Sequence, residues 1–188
     1  LVLPEDVNPG DDVKKITGMD DWIFDIALTA NRPDCQSILG MAREVAAMLG
    51  KPLKMPATDY TETEVKKDGF KVTVEAQDLC PRYSAHYVYD VKIGESPLWM
   101  KRRLALVGMT SISNVVDITN YVLKEIGQPM HAFDGSYLEG NEICVRRAKD
   151  AEKIITLDEQ EYEMNTDNLV ICDGVQPVAL AGVMGGLN

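Results

Sequence analysis

The sequence predicts an α+β fold with a mixed or antiparallel sheet, helices in the first two thirds of the chain and a strand-rich C-terminal part. Helical apolar periodicity with glycine stops recurs up to residue 127, whereas short apolar runs separated by turn residues follow residue 141. Because these runs follow one another through short turns, we expect paired strands rather than alternating βαβ units.

The first long helix is predicted between Asp34, read as its N-cap, and Gly50, with Pro52 preventing continuation. Apolar residues at helical spacing give it one hydrophobic side. These residues are Ile38, Met41, Ala42, Val45, Met48 and Leu49.

Two further helices are predicted from their end signals. Ser96–Pro97 has the order of a cap followed by the proline of a first turn, and this helix ends at Gly108. The next begins at Asn114 or Asp117 and ends at Gly127, which supplies the left-handed residue that terminates helices.

Strands are predicted where apolar and polar residues alternate or where short apolar runs lie between turns. The polar, proline-containing stretch 51–69 is the predicted internal linker or boundary. The predicted strands are 21–29, 69–76, 82–93, 142–148, 153–158, 161–165, 169–173 and 177–186.

Charge and cysteine content restrict the function. With 19 basic and 30 acidic residues the net charge is −11, which opposes a broad phosphate-binding surface. The basic clusters 101–103 and 146–147 suit contact with a nucleic-acid end or a few nucleotides only. The four cysteines form no CxxC, so neither a zinc site nor a disulfide framework is expected, and a reducing cytoplasm is the expected location. No apolar run reaches the roughly 18 residues of a membrane span.

Asn120 and His131 are the first candidate site residues. Asparagine is a mediocre helix former, so its place inside a helix suggests a hydrogen-bonding role. A histidine after the helix end, with an ordinary pKa of about 6.5, is suited to proton handling at neutral pH. The alternative is that Asn120 caps or solvates a surface and that His131 bonds a backbone carbonyl.

The tail VALAGVMGG forms a second candidate. Its small residues allow a ligand to approach the backbone, and their N–H groups can hold an oxygen. The alternative, favoured by the pattern alone, is a bulge or tight turn in a packed sheet. The residues are Ala181, Gly182, Gly185 and Gly186.

Other residue patterns favour structural roles. His86 alternates with tyrosines in a predicted strand, and Cys144 and Cys172 lie in apolar strands typical of buried thiols. The stretch 31–34 is either a binding clamp or an arginine that bridges Asp34 and a neighbouring domain. No GxSxG, GxGxxG or GxxxxGK[ST] is present, so nucleophile elbows and nucleotide-cradling loops are not predicted.

Three stretches, in order, resemble the beta subunits of bacterial phenylalanine–tRNA ligases. They are NRPDCQSILGMAREVAAMLG, RYSAHYVYDVKI with SPLWMKRRLALVGMTSISNVVDITNYVLKEIGQPMHAFD, and LVICDGVQPVALAGVMGG. The resemblance implies that residues 1–33 close a preceding small domain and that 34–188 are the editing domain. Because the chain starts without methionine and stops after a glycine pair, we expect a piece of a longer polypeptide, truncated at its C-terminus.

The resemblance also implies an activity, the hydrolysis of tyrosine wrongly attached to phenylalanine tRNA by an oriented water. Implied near the ester are His131, Asn120 and Thr119. The implied amino-acid pocket is lined by Ala181, Gly182, Gly185 and Gly186, and a glutamate beyond Asn188 would recognise the tyrosine hydroxyl.

The implied partners are the 3′ end of the mischarged tRNA, and the alpha subunit and other beta-subunit domains of a heterotetramer, with no membrane. No cofactor is expected here, since ATP and magnesium belong to the aminoacylation centre elsewhere. Isolated, the chain is not expected to aminoacylate. The rival interpretation is a non-catalytic scaffold or interaction module whose first long helix docks neighbouring domains.

Overall fold

A computed structural model describes residues 3, 5–61 and 69–188 of the chain. It divides into two compact units, Leu1–Asp59 with Lys92–Ala132 and Tyr60–Val91 with Phe133–Asn188, and each is described by itself. One division therefore falls inside the predicted linker 51–69, of which residues 62–68 lie outside the described part. Apart from the strand Lys71–Val74, all strands follow the four α-helices along the chain, and this segregation confirms the α+β prediction.

The first unit is helical. Ser37, not Asp34, caps the helix Ile38–Leu49, because the Ser37 hydroxyl accepts a hydrogen bond from the Gly40 N–H at 3.0 Å. Asp34 lies instead in a 3₁₀ turn, Pro33–Gln36, which corrects the predicted cap. Gly50, at φ +59°, ends the helix as predicted. The helices are α1 Val13–Thr17, α2 Ile38–Leu49, α3 Leu98–Leu106 and α4 Asn114–Ile126.

The start of α3 differs from the prediction. Pro97 occupies the cap position without a side-chain hydrogen bond, and the Ser96 hydroxyl donates to the Asp117 carboxylate instead. The start of α4 at Asn114 and its end at Gly127 agree with the prediction.

The apolar side of α2 is largely exposed. Within this unit Ile38 is 57% exposed, Val45 46%, Met48 81% and Leu49 61%, while the buried residues of the helix are Leu39 and Gly40. The apolar residues predicted to share one side of the helix do lie on a helix, but within the described residues that side is not its buried side.

The second unit is built on a five-stranded mixed sheet of order β1-β2-β5-β6-β7. β1 and β2 pair in parallel and the other neighbours pair antiparallel, while β3 and β4 form a separate hairpin. The strands are β1 Lys71–Val74, β2 Glu142–Arg147, β3 Glu152–Ile155, β4 Glu161–Met164, β5 Leu169–Cys172, β6 Pro177–Leu180 and β7 Met184–Gly185.

Alternating side chains of the sheet supply two hydrophobic clusters. Along β2, Cys144 belongs to one cluster, whereas Ile143 and Val145 belong to the other. β5 divides in the same way, with Val170 in the first cluster and Ile171 in the second. The sheet is therefore covered on both faces within its own unit.

Three strand predictions are wrong. Residues 21–29 and 82–93 form no strand in the described part of the chain. Asp90 has a left-handed φ of +53°, which interrupts an extended run, and the rings of Tyr87 and Tyr89 pack together with centroids 4.7 Å apart. His86 is accordingly exposed and lies outside any strand. The run 177–186 is not one strand but β6 and β7, separated by a turn.

Candidate functional site

Helix α4 carries two of the residues predicted near the ester, and the third follows its end. The Gly127 N–H donates to the Leu123 carbonyl at 2.9 Å, and Gly127 has a φ of +81°. A Cβ at this position would lie 3.4 Å from the Ser37 Cβ, so a larger residue would meet both backbone strain and a close neighbour. His131 lies four residues beyond this stop.

Asn120 and Thr119 are half-buried on α4. The Thr119 hydroxyl donates to the Val116 carbonyl at 2.8 Å, which leaves its oxygen able to accept only. Among the described residues, the side-chain amide of Asn120 takes part in no hydrogen bond. Asn120 therefore keeps both a donor and an acceptor available for a water or a carbonyl.

His131 is exposed by surface area, yet the protein around its ring desolvates the charged form. This desolvation lowers the pKa of His131 below the ordinary 6.5. The lowered pKa favours the neutral form of the ring at pH 7, and a neutral imidazole is the form in which one ring nitrogen can accept a proton.

The four predicted pocket residues lie in the second unit, at and beside the turn between β6 and β7. Ala181 is half-buried against the cluster that contains Val145, and Gly185 is buried. Gly182 has a φ of +73° and open space where a Cβ would be. At Gly186 a Cβ would lie 2.8 Å from the Val178 carbonyl oxygen. Gly182 thus suits the left-handed turn, whereas Gly186 permits the close approach of β6 just after β7.

The two predicted sets of residues belong to different units. Thr119, Asn120 and His131 fall within Lys92–Ala132, and the pocket residues fall within Phe133–Asn188. The structure therefore places each set on its own element.

Each unit also contains a cavity lined by other residues. One of about 440 Å³ lies beside the β3–β4 hairpin and includes Ile154 and Pro177 in its lining. The other, of about 360 Å³, is lined by residues that include Leu104 and Tyr121.

The sequence indicated Asp117 only as a possible start of α4 and gave no sign of a further role. It is fully buried, and its carboxylate accepts hydrogen bonds from the hydroxyls of Ser96 and Ser111 and from the Ile112 N–H. Burial opposes its ionisation, but the three donors outweigh burial and hold the pKa of Asp117 below its usual value. A single acidic residue in a helical pattern gave no signal for these partners, which lie 5 to 21 residues away.

The stretch 31–34 forms a local ion-pair cluster. Arg32 binds the Asp34 carboxylate with two hydrogen bonds of 2.8 and 3.0 Å and pairs with Glu44 of α2 at 2.5 Å. This bonding holds the pKa of Asp34 at about 2. Cys35 is buried beside the pair. One guanidinium thus binds two carboxylates, and the pair with Glu44 connects the turn before α2 to the helix itself.

Comparison with known proteins decides the family. Residues 79–188, more than half of the chain, match the B3/4 domain. The chain belongs to the B3/4 domain family. The matched region contains α3, α4 and strands β2 to β7, and so includes every predicted site residue.

The chain is also similar over its whole length to phenylalanine–tRNA ligase beta subunits, which confirms the resemblance seen in the sequence. It is 50% identical to that subunit of Syntrophus aciditrophicus over 189 residues, covering all of this chain and 24% of the relative. It is likewise 50% identical to those of Moorella thermoacetica and Geobacter metallireducens, covering 23% and 24% of them. The chain thus spans about a quarter of the length of these relatives.

Within the described residues, no helix combines the length and apolar character needed to cross a bilayer.

Proposed function

We propose that this chain is the editing module of a phenylalanine–tRNA ligase beta subunit and that it hydrolyses tyrosine mis-attached to phenylalanine tRNA. The observation that carries the proposal is the 50% identity, along the entire chain, to beta subunits of that ligase. The proposed partners are the 3′ end of the mischarged tRNA, the alpha subunit and the remaining beta-subunit domains, in the cytoplasm. ATP and magnesium act elsewhere in that enzyme.

Editing has a chemical rationale. Phenylalanine and tyrosine differ by one hydroxyl, and a synthetic site that admits some of the wrong amino acid gains fidelity from a second, hydrolytic site. Contact with a tRNA end alone is compatible with a net charge of −11, because broad phosphate binding is left to other domains.

The proposed hydrolysis uses water rather than a protein nucleophile. Asn120 has a free donor and acceptor with which to hold the water or the ester carbonyl, and Thr119 can accept a hydrogen bond from the water. The lowered pKa of His131 favours its neutral form at pH 7, which suits it to orient the water or the terminal ribose. Donors placed where the oxyanion develops and a base near the water are the two needs of ester hydrolysis.

The pocket assignment is tested by filling it. We expect Ala181→Met in the complete ligase to lower kcat/KM for tyrosyl-tRNA hydrolysis about tenfold or more, because an added side chain of this size competes with the substrate ring. Val183→Met is the matched control, since Val183 lies in the same turn and is 71% exposed. Equal rates for both variants and the unmodified enzyme would remove Ala181 from the pocket.

A second candidate function is a non-catalytic interaction module. It is favoured by the exposed apolar side of α2, where Met48 is 81% and Leu49 61% exposed within the described unit. In this case, tyrosyl-tRNA hydrolysis by the complete ligase would not depend on Asn120 or His131, whereas Met48→Lys would weaken the assembly of the subunit.

A further inference from the structure

Asp117 is an ionised side chain with no exposed surface, in the first turn of α4. Its Oδ2 accepts from the Ser96 hydroxyl at 2.5 Å and from the Ser111 hydroxyl, and its Oδ1 accepts from the Ile112 N–H at 2.8 Å. Burying a carboxylate is costly unless donors replace its water, and three donors do so here. Asp117 is therefore bound in one orientation.

The hydrogen bonds of Asp117 attach α4 to both segments that flank α3. Ser96 precedes α3, and Ser111 lies in the connection between α3 and α4. Asn114, three residues before Asp117, adds to this attachment. Its Nδ2 donates to the Lys92 carbonyl at 2.8 Å, and its Oδ1 accepts from the Gly94 N–H at 3.2 Å. The first turn of α4 is thus held at both of its ends by the side chains of Asn114 and Asp117.

This attachment reaches the proposed site through the helix itself. Asn120 is three residues after Asp117, so the two side chains are neighbours on the helix surface and about 4.5 Å apart along its axis. An α-helix transmits rotation about its axis, because its backbone hydrogen bonds fix each residue relative to the next. A change in the hydrogen bonds of Asp117 would therefore rotate α4 and change the direction in which the Asn120 side-chain amide points.

We propose that Asp117 is a positioning residue for the hydrolysis, which holds α4 in the rotation that directs Asn120 at the substrate. This inference rests on the proposed function. Asp117 does not touch the substrate in this account, and its effect on the reaction passes through Asn120.

The test is a double-mutant cycle in the complete ligase, with phenylalanine tRNA mischarged with tyrosine as substrate. Asp117→Asn preserves size but replaces one accepting oxygen by an NH₂ group, which cannot accept from the serines. We expect kcat to fall about tenfold to a hundredfold, as for small misplacements of a reacting group, with KM little changed. In an Asn120→Ala background the same substitution is expected to have no further effect on kcat.

Asp173→Asn is the matched control. Asp173 is also buried, at 4% exposure, and its Oδ1 accepts from the N–H groups of Val175 and Gln176 at 2.8 Å. A general loss of stability would appear in both aspartate variants, whereas a loss of kcat is expected only for Asp117→Asn. If Asp117→Asn does not fold, Ser111→Ala removes one donor, and a fall in kcat of a few-fold with the same dependence on Asn120 is expected.

The outcomes separate the two proposals. If kcat falls equally with and without Asn120, or falls no more than in Asp173→Asn, the positioning role is wrong while editing stands. If Asn120→Ala alone leaves hydrolysis unchanged, the proposed site is wrong and the role of Asp117 falls with it.

Discussion

At the scale of single residues, the protonation of His131 is the property with the clearest consequence. Desolvation lowers its pKa in the folded chain, so the unfolded chain binds a proton more readily between that pKa and about 6.5. The contribution of His131 to stability is therefore fully present above about pH 6.5 and is lost as the pH falls through the folded pKa. The neutral ring is also the form that can accept a proton.

We predict that the His131 ring titrates with a midpoint below 6.5 and that tyrosyl-tRNA hydrolysis loses activity in acid over the same range. The measurement is an NMR titration of the ring resonances, compared with the pH profile of kcat/KM. A midpoint above 6.5 would contradict the desolvation that the surroundings of the ring imply.

The thiols give a second prediction at this scale. Cys144 and Cys172 are cross-strand partners on β2 and β5, 7% and 1% exposed, and burial raises the pKa of Cys172 to about 12. Burial also raises the pKa of Cys35. We expect Cys80, which is half-buried, to react first with iodoacetamide in the native chain, as read by mass spectrometry of the labelled peptides. Early labelling of Cys172 would contradict the packing of β5.

At the scale of elements, local signals predicted helix ends better than strands. The stops at Gly50 and Gly127 need only the residue itself, since glycine adopts the left-handed conformation without strain. A strand needs a partner that is distant in sequence, and the alternating run 82–93 has none in the described part of the chain. Alternation of apolar and polar residues indicates that a segment can form a strand, but it does not show whether a partner strand is available.

The start of α2 tests the corrected cap. We predict that Ser37→Ala lowers the free energy of unfolding by about 1 kcal/mol, because the Gly40 N–H loses its acceptor. Asp34→Ala is the matched control, and a smaller loss is expected because its ion pair with Arg32 is exposed. Urea unfolding measures both, and a larger effect from Asp34 would restore the cap predicted from the sequence.

The Arg146–Glu152 pair joins β2 to the β3–β4 hairpin. Both side chains are 14% exposed, and two hydrogen bonds of 2.8 and 2.9 Å connect them. We predict that Arg146→Ala costs about 2 kcal/mol of unfolding free energy, since it leaves a mostly buried carboxylate unpaired. The exposed pair of Lys153 and Glu161 is the control, and Lys153→Ala is expected to cost less.

The same pair has a pH signature. Hydrogen bonding from Arg146 lowers the pKa of Glu152 below its ordinary 4.5. Stability from this carboxylate is therefore present above about pH 4.5 and is lost as the pH falls through the folded pKa. In Arg146→Ala that part of the acid sensitivity should disappear, and an unchanged acid unfolding curve would contradict the assignment.

At the scale of the whole molecule, the sequence predicted the fold class correctly and proposed the candidate site residues. It did not predict the contacts that surround those residues. The order of helices and strands is local information, and the motif around Asn120 and His131 is continuous in the chain. The network of Asp117 could not be predicted, because its partners at 96, 111 and 112 converge only when α3 and α4 pack. The exposed side of α2 was likewise invisible, since periodicity reports an apolar face but not what covers it.

The chain spans about a quarter of the length of the beta subunits to which it is similar, so the proposed activity is measured in the complete ligase. The most direct test of the central claim is the rate of tyrosyl-tRNA hydrolysis by the double variant Asn120→Ala/His131→Ala. His86→Ala is the control, because His86 is also an exposed histidine. We predict a loss of about a hundredfold or more in the double variant, as expected when a water-orienting group and an oxyanion donor are removed, with His86→Ala unaffected. Unchanged hydrolysis in the double variant would contradict the account.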